Sequence, residues 1–183
     1  IEATNKRSAI IELDPNTLEL TAVYDTNNQV IDGFWGIYNG VESMYMVVNQ
    51  IEKDHAGNVW IVNPFCEKYG TLLAIQLAED ESWSHVHIPD ENSYLPQTIA
   101  IEKRDSYQRA WIGFESRSLP DDTNYSSGGI KVFKYTDLTF GEENSTWISI
   151  ENPDVLPGNS ATASIWSIVF DHMGFLWVLS EKG

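Results

Sequence analysis

The chain has 183 residues, of which 42% are apolar, and a formal net charge of −16 from 11 Lys and Arg against 27 Asp and Glu. The apolar share argues against a disordered chain, and the charge argues against a nucleic acid as partner, because phosphate binding draws on clustered cations. A single cysteine excludes a disulfide framework and a zinc site built from several cysteines. The sequence contains no run of 18 apolar residues, so it predicts no membrane-spanning helix.

The first predicted elements are two short strands within residues 1–24. Ser8–Asp14 and Leu18–Tyr24 are rich in Ile, Leu, Val and Tyr, and Asp, Pro and Asn separate them. Such short runs bounded by turn residues are typical of β-strands. They match the second half of a unit that recurs later in the chain, so we expect them to be strands c and d of a first sheet.

A turn motif then recurs in front of a tryptophan. Residues 54–62 and 171–179 share Asp, His, Gly and Trp at identical spacing, whereas the middle copy has 104–109 in place of the Asp-x-x-Gly turn. Glycine accommodates positive φ, aspartate binds backbone amides ahead of it, and tryptophan suits packing between sheets. The residues predicted to have this structural role are Asp54, Gly57, Trp60, Trp111, Asp171, Gly174 and Trp177.

A second pattern follows the tryptophans at 60 and 111. A glycine-led apolar run at 70–75 precedes Trp83, and another at 128–135 precedes Trp147. The unit is therefore about 50 residues with four strands, and it predicts complete sheets over 47–88 and 97–150 and two final strands over 164–183. Since no helical apolar stripe is sustained anywhere, we expect an all-β fold.

Four-stranded antiparallel sheets that repeat and cover one another describe a β-propeller. The predicted strands amount to about three blades, whereas propellers typically have about four to eight. We therefore expect a single partial propeller over 1–183 that forms part of a larger ring. A homodimer that closes the ring is an alternative.

The motifs also resemble a known family. Residues 54–62, 128–135 and 147–150 look like the two-component regulator propeller repeat, and the similarity extends over nearly the whole chain. The resemblance implies a bacterial, periplasmic or cell-surface protein, either the ligand-sensing ectodomain of a two-component sensor or a surface protein associated with type IX secretion. In both settings the repeat is a rigid, non-catalytic scaffold.

The longest predicted connections, 25–46, 115–127 and 151–163, emerge on one face of such a fold. Long loops on a rigid scaffold usually carry binding functions. Aromatic rings beside carboxylates suit an oligosaccharide or a peptide, although these residues could instead plug a blade junction or be solvated. The predicted ligand-binding residues are Trp35, Tyr38, Tyr45, Asp121, Asp122 and Tyr125.

Other chemical sites are less favoured by the sequence. His85 and His87 share a strand face but lack a third metal ligand, and Asp121 and Asp122 alone offer too few oxygens for calcium. Cys66 lacks a nucleophile signature, which favours a buried thiol. We therefore predict no catalytic residue, no metal and no cofactor.

Three functions remain open at this point. The sequence favours a binding module without catalysis. A propeller-type polysaccharide lyase or glycosidase would need a pair of carboxylates at a fixed separation, which the sequence alone does not establish. A structural spacer in a type IX secretion-related surface protein would need no site at all.

Overall fold

The structure is a computed structural model, and every regular element in its described residues is a β-strand. The described residues are 9–25, 36–38, 41–45, 47–66, 70–76, 78–88, 95–104, 106–118, 125–126, 128–135, 145–149 and 163–181. Within these ranges no helix is present that is long and apolar enough to cross a membrane. The predicted all-β class is confirmed for this part of the chain.

Most strands are short and rich in β-branched and aromatic residues, as their propensities predict. In chain order they are β1 Ala9–Leu13, β2 Leu20–Asp25, β3 Gly36–Tyr38, β4 Val41–Tyr45, β5 Gln50–Lys53, β6 Val59–Cys66, β7 Gly70–Gln76, β8 Trp83–His87, β9 Leu95–Lys103, β10 Gln108–Glu115, β11 Arg117–Ser118, β12 Tyr125–Ser126, β13 Gly129–Tyr135, β14 Ser145–Ser149, β15 Ile165–Phe170 and β16 Leu176–Ser180.

The strands form antiparallel sheets in chain order. Sheet 1 is β1–β2, sheet 2 is β5–β6–β7–β8, sheet 3 is β9–β10–β13–β14 and sheet 4 is β15–β16. Two further hairpins, β3–β4 and β11–β12, lie in the connections before β5 and before β13. Sheets 2 and 3 therefore have the same four-stranded meander, and sheets 1 and 4 each have two strands.

The sheets stack face to face in the order in which they occur. The core between sheets 2 and 3 includes Trp60, Ile75, Ile112 and Phe133. The core between sheets 3 and 4 comprises Ala100, Ile130, Val132, Ile165 and Ile168, with Trp111, Phe170, Leu176 and Val178 packed against them. The smaller core between sheets 1 and 2 comprises Ile61, with Ile10, Val48, Val59 and Trp83 packed against it. Burial of apolar surface on both faces of sheets 2 and 3 is thus what holds the stack together.

The first strands of sheets 2, 3 and 4 lie side by side and are joined by polar side chains. The Gln50 side chain donates to the carbonyl of Ile99 at 2.8 Å and accepts from the Thr98 hydroxyl at 2.8 Å. The backbone N–H of Ile168 donates in turn to Thr98 Oγ1 at 3.3 Å. The stacked sheets consequently converge along β5, β9 and β15.

A glycine permits the close approach of sheets 3 and 4. A methyl group at Gly113 would lie 2.5 Å from Cγ2 of Ile165 and 2.7 Å from Cγ2 of Thr98. The backbone of β10 therefore packs directly against β15. The closure of the sheets into a propeller, and the blade boundaries 1–24, 47–88, 97–150 and 164–183, stay predictions.

Candidate functional site

A row of polar side chains crosses the end of the stack at which β5 and β9 begin and β10 ends. Asn49 donates to Oε1 of Gln97 at 2.6 Å, and Gln97 donates to Oε2 of Glu115 at 2.6 Å. We call Asn49, Gln97 and Glu115 the polar row. The side chains of Gln97 and Glu115 are half-buried, and Asn49 is exposed. Amide and carboxylate groups at a sheet end can donate and accept hydrogen bonds to a ligand.

Backbone contacts fix the other strand ends at the same end of the stack. The backbone N–H of Ser116 donates to Oγ of Ser164 at 3.0 Å, and that of Gly129 donates to the carbonyl of Ala163 at 2.9 Å. Gly128 lies so close that a methyl group there would contact the carbonyl oxygen of Ala163. The end of β10 and the starts of β13 and β15 are therefore held together beside the polar row.

Both additional hairpins attach close to the polar row. The β3–β4 hairpin ends four residues before Asn49, and β11 begins two residues after Glu115. β3 also approaches β6 of sheet 2. Both hairpins are therefore joined by short stretches of chain to residues of the polar row.

The predicted ligand-binding residues belong to these same connections. Trp35, Asp121 and Asp122 lie outside the described residues. Tyr38 ends β3, Tyr45 ends β4 and Tyr125 begins β12, and only the backbone of each tyrosine is described. The backbone attaches all three tyrosines to the hairpins of the polar-row end, and the assignment of the six residues to a ligand stays a prediction.

At the opposite end of the stack, Asp54 collects hydrogen bonds inside the turn from β5 to β6. Its Oδ1 accepts from the backbone N–H groups of Ala56 at 2.9 Å and Asn58 at 3.0 Å. Its Oδ2 accepts from the Asn58 amide at 2.7 Å, the Trp60 indole at 3.1 Å and the Tyr135 hydroxyl of sheet 3 at 3.1 Å. The buried carboxylate is thus fully engaged in holding the turn and the next sheet.

Asp171 repeats this geometry in the turn from β15 to β16. Its Oδ1 accepts from the N–H groups of Met173 and Phe175 at 2.9 Å each, and its Oδ2 accepts from the Trp177 indole at 2.8 Å. These bonds, led by that of Trp177, lower the pKa of Asp171. The Trp177 side chain is 63% exposed whereas Trp60 is fully buried, since sheet 3 covers the latter.

Glycines complete both turns. Gly57 and Gly174 have φ values of +97° and +84°, and each donates its N–H to the carbonyl of the turn aspartate. Side-chain-bearing residues rarely adopt this conformation. The Asp-x-x-Gly spacing therefore has a local structural cause in both copies.

The middle copy binds its indole to a carboxylate by another route. Trp111 donates to Oε2 of Glu102 at 2.9 Å, and Glu102 lies on the neighbouring strand β9. The turn between the paired residues Lys103 and Gln108 has four residues, 104–107. The corresponding turn of sheet 2, between the paired residues Lys53 and Val59, has five, 54–58. Trp111 is accordingly the fourth residue of its strand, while Trp60 and Trp177 are the second residues of theirs.

A cluster of cations surrounds Glu102. Arg104 and Arg109 both form ion pairs with this carboxylate, the latter at 3.4 Å. The ring of Tyr107 lies 4.3 Å from Nζ of Lys134 and 5.1 Å from the Arg109 guanidinium carbon. These contacts explain how the turn 104–107 and the start of β10 replace the aspartate turn in the middle copy.

The structure offers no metal centre among its described residues, where no three His, Cys, Asp or Glu side chains cluster. His55 and His172 are exposed in the two aspartate turns, and His85 is half-buried on β8. The side chains of His87 and Cys66 lie outside the described residues.

Comparisons with known proteins identify no family. No protein-family model and no curated protein match the chain. Two solved structures are similar to it, both of the extracellular domain of one B. thetaiotaomicron protein, described once as a one component system and once as a hybrid two component system. Each has a TM-score of 0.44 and 12% identity over 96% of this chain and 24% of that chain. The chain thus spans about a quarter of their length, and a similarity this low assigns it no function.

The sequence pattern did not reveal the polar row. Asn49 and Gln97 are 48 residues apart in the sequence, Gln97 and Glu115 are 18 apart, and no motif links the three. Only the register of β9 against β10, which pairs Leu95 with Glu115, brings Gln97 and Glu115 together. This register shifts between Gly113 and Phe114, an irregularity that the repeat pattern does not predict.

Proposed function

We propose that this chain is a non-catalytic binding module in which stacked sheets of a partial propeller present a ligand surface at the polar-row end. The observation that carries the proposal is the meeting of Asn49, Gln97 and Glu115 beside the roots of β3–β4 and β11–β12. Rigid strand ends position polar groups well, and we propose that Tyr38, Tyr45 and Tyr125 of the two hairpins contribute aromatic rings to the same surface.

Three other described carboxylates support a role without catalysis. Asp54, Glu102 and Asp171 each accept an indole N–H and further donors, so their oxygens are engaged in the fold. A general acid or nucleophile needs a carboxylate that can reach a substrate. These three acids therefore fit a structural role better than the pair that a glycosidase requires.

The proposed ligand is an oligosaccharide or a peptide. Aromatic rings of Trp35, Tyr38, Tyr45 and Tyr125 would stack on sugar or side-chain faces, while the polar row and Asp121 and Asp122 would accept hydrogen bonds. The net charge of −16 favours neutral or cationic ligands over acidic ones. The resemblance of the sequence motifs to the two-component regulator propeller repeat supports a periplasmic or cell-surface location.

The test is binding to arrays of neutral, acidic and amino oligosaccharides and of peptides, followed by titration calorimetry with each bound probe. We expect Gln97→Ala to weaken binding at least about tenfold, since a lost polar contact of about 1.4 kcal/mol has this effect. The matched control is Gln108→Ala, because Gln108 lies at the other end of the same hairpin and accepts from the N–H of His55 at 3.0 Å.

Each alternative gives a different result. Equal affinity of Gln97→Ala and Gln108→Ala for a bound probe would contradict the proposed surface. No binding to any probe would favour the spacer. If mass spectrometry detects that a bound oligosaccharide is shortened, the lyase or glycosidase would be favoured.

A further inference from the structure

The first strands of sheets 2, 3 and 4 repeat one hydrogen bond, which aligns them residue by residue. The backbone N–H of Ile99 donates to Oε1 of Gln50 at 3.0 Å, and that of Ile168 donates to Oγ1 of Thr98 at 3.3 Å. In each case a side chain near the start of one strand accepts from the backbone of the next strand. Thr98 therefore corresponds to Gln50, and Ile168 corresponds to Ile99.

This alignment extends the polar row to a third strand. Asn49 and Gln97 each precede the accepting side chain of that hydrogen bond by one residue. Gln97 and Trp166 each precede the donating N–H by two residues. The three residues are therefore equivalent, and β15 packs against β9 as β9 packs against β5. Trp166 consequently has the next place after Asn49 and Gln97.

A β-bulge lies at this position on both β9 and β15. The pairing of β9 with β10 passes over Gln97, and that of β15 with β16 passes over Trp166. A bulge bends its strand, and it re-aims a side chain at many binding sites. The amide of Gln97 and the indole of Trp166 thus have the same local backbone setting.

The side chains at this position are accessible in every sheet that carries one. Asn49 is exposed although sheet 3 packs against sheet 2, and Gln97 is half-buried although sheet 4 packs against sheet 3. The Trp166 side chain is 47% exposed. Accessibility is therefore a property of the strand position, whichever sheet it belongs to.

The indole of Trp166 also differs from those of the three repeated tryptophans. Trp60, Trp111 and Trp177 each donate their indole N–H to a carboxylate of their own sheet. In the part of the chain that the structure describes, no group accepts the indole N–H of Trp166. An accessible indole of this kind offers a ligand both an apolar face and a hydrogen-bond donor.

We propose that Trp166 is the aromatic platform of the ligand surface and that the ligand is an oligosaccharide. The inference rests on the proposed function, since it adds a residue and a ligand class to the same surface. A sugar ring has an apolar C–H face, which stacks on an indole, and a rim of hydroxyl groups. Those hydroxyls both donate and accept, as do the amides of Asn49 and Gln97.

A peptide fits these strands less well than an oligosaccharide. Extended peptides often bind by adding a strand, which requires a regular edge of backbone N–H and C=O groups. The bulges at Gln97 and Trp166 interrupt regular strand geometry at this end of the stack. The polar row also includes the carboxylate of Glu115, so neutral or amino sugars are favoured over acidic ones.

The test is titration calorimetry of the full chain with the neutral probes cellohexaose, laminarihexaose and mannohexaose, and with chitosan hexaose, which carries amino groups. For each probe that binds, Trp166→Ala should raise the dissociation constant at least about tenfold, since a stacked indole buries a large apolar surface. Trp166→Phe retains an aromatic ring and should have a smaller effect.

The matched control is Phe175→Ala. This ring is 61% exposed and belongs to the same sheet, but it lies in the Asp171 turn at the opposite end of the stack. The control should leave the dissociation constant unchanged. Circular dichroism verifies that all three variants retain their strands.

Hydroxyl-radical labelling of the wild-type chain gives a second measurement that needs no variant. A bound probe should protect Trp166 from oxidation and should leave Trp177, another exposed tryptophan of sheet 4, as reactive as before. Mass spectrometry of the digested chain measures both residues. Unchanged oxidation of Trp166, or equal protection of the two tryptophans, would overturn the inference.

The outcomes separate this inference from the proposed function. A probe whose affinity falls with Gln97→Ala but not with Trp166→Ala would overturn the role of Trp166 and leave the polar-row surface in place. Binding of peptides from the arrays but of none of the four oligosaccharides would overturn the ligand class alone. No binding to any oligosaccharide or peptide would contradict both proposals.

Discussion

Trp111 donates its indole N–H to Glu102 at 2.9 Å from one strand to the next, whereas Trp60 donates to Asp54 at 3.1 Å within a turn. The indole–carboxylate pair is therefore retained in sheet 3 although the aspartate and glycine of the turn are not. A tryptophan packed between sheets has one polar hydrogen, which needs an acceptor when its ring is covered. The indole–carboxylate bond, more than the turn sequence itself, is common to the three copies, since the exposed Trp177 also donates to Asp171.

The first prediction concerns the carboxylate of sheet 3. Glu102→Gln removes the charge that faces Arg104 and Arg109, and it should destabilise the chain by about 1–3 kcal/mol because Glu102 is buried and Arg109 half-buried. Arg104→Gln should cost less than about 1 kcal/mol, since the Arg104 side chain is 53% exposed. Urea unfolding of both variants measures the difference, and equal losses would contradict this account.

The second prediction compares the two aspartate turns. Asp54→Asn introduces an amide among the donors of Asn58, Trp60 and Tyr135. Because these groups are buried, the variant should lower the free energy of unfolding by about 3–5 kcal/mol. Asp171→Asn should cost much less, since its turn is exposed to solvent. Urea midpoints of the two variants provide the measurement. A larger loss for Asp171→Asn would mean that burial does not set the importance of these turns.

The strand content of this fold could be predicted from its sequence because it follows from local chemistry. The glycine at 57 and the aspartate at 54 fix a turn by themselves, and short apolar runs between such turns indicate strands. The turn at 104–107 was harder to predict, because its bonds to Glu102 depend on the strand register. From the sequence alone, Trp111 aligns with Trp60. The strand pairing shows that Trp111 lies two residues further along its strand than Trp60 does.

The candidate site could be predicted only as a region. Chain topology brings the roots of the long connections to one end of the sheets, and this follows from antiparallel order alone. The polar row depends on side-chain contacts between residues far apart in sequence, such as Asn49 and Gln97.

The third prediction is a loss of stability at alkaline pH. Burial, followed by the charge of Asp54, raises the pKa of Tyr135 above its ordinary value of about 10. The phenol of the unfolded chain ionises near that value while the folded one stays neutral, so the folded state holds more protons. Its stabilising contribution is therefore complete below about pH 10 and declines as the pH rises further.

Tyr135→Phe tests this titration directly. The variant should be less stable at neutral pH by about 1–3 kcal/mol through the lost bond to Asp54. Its stability should then fall less steeply than that of the wild type between about pH 10 and pH 12. Urea unfolding at several pH values gives both curves, and parallel curves would contradict the role assigned to the phenol.

The last prediction concerns the close contact of sheets 3 and 4. Gly113→Ala places a methyl group against Ile165 and Thr98, and overpacking of this kind should cost about 1–3 kcal/mol. Thr98→Ser removes one of the opposing methyl groups but keeps the hydroxyl that binds Gln50 and Ile168. The cost of Gly113→Ala should therefore be smaller in the Thr98→Ser background. A double-mutant cycle by urea unfolding measures this coupling, and strictly additive effects would show that the added methyl group meets no resistance from Thr98.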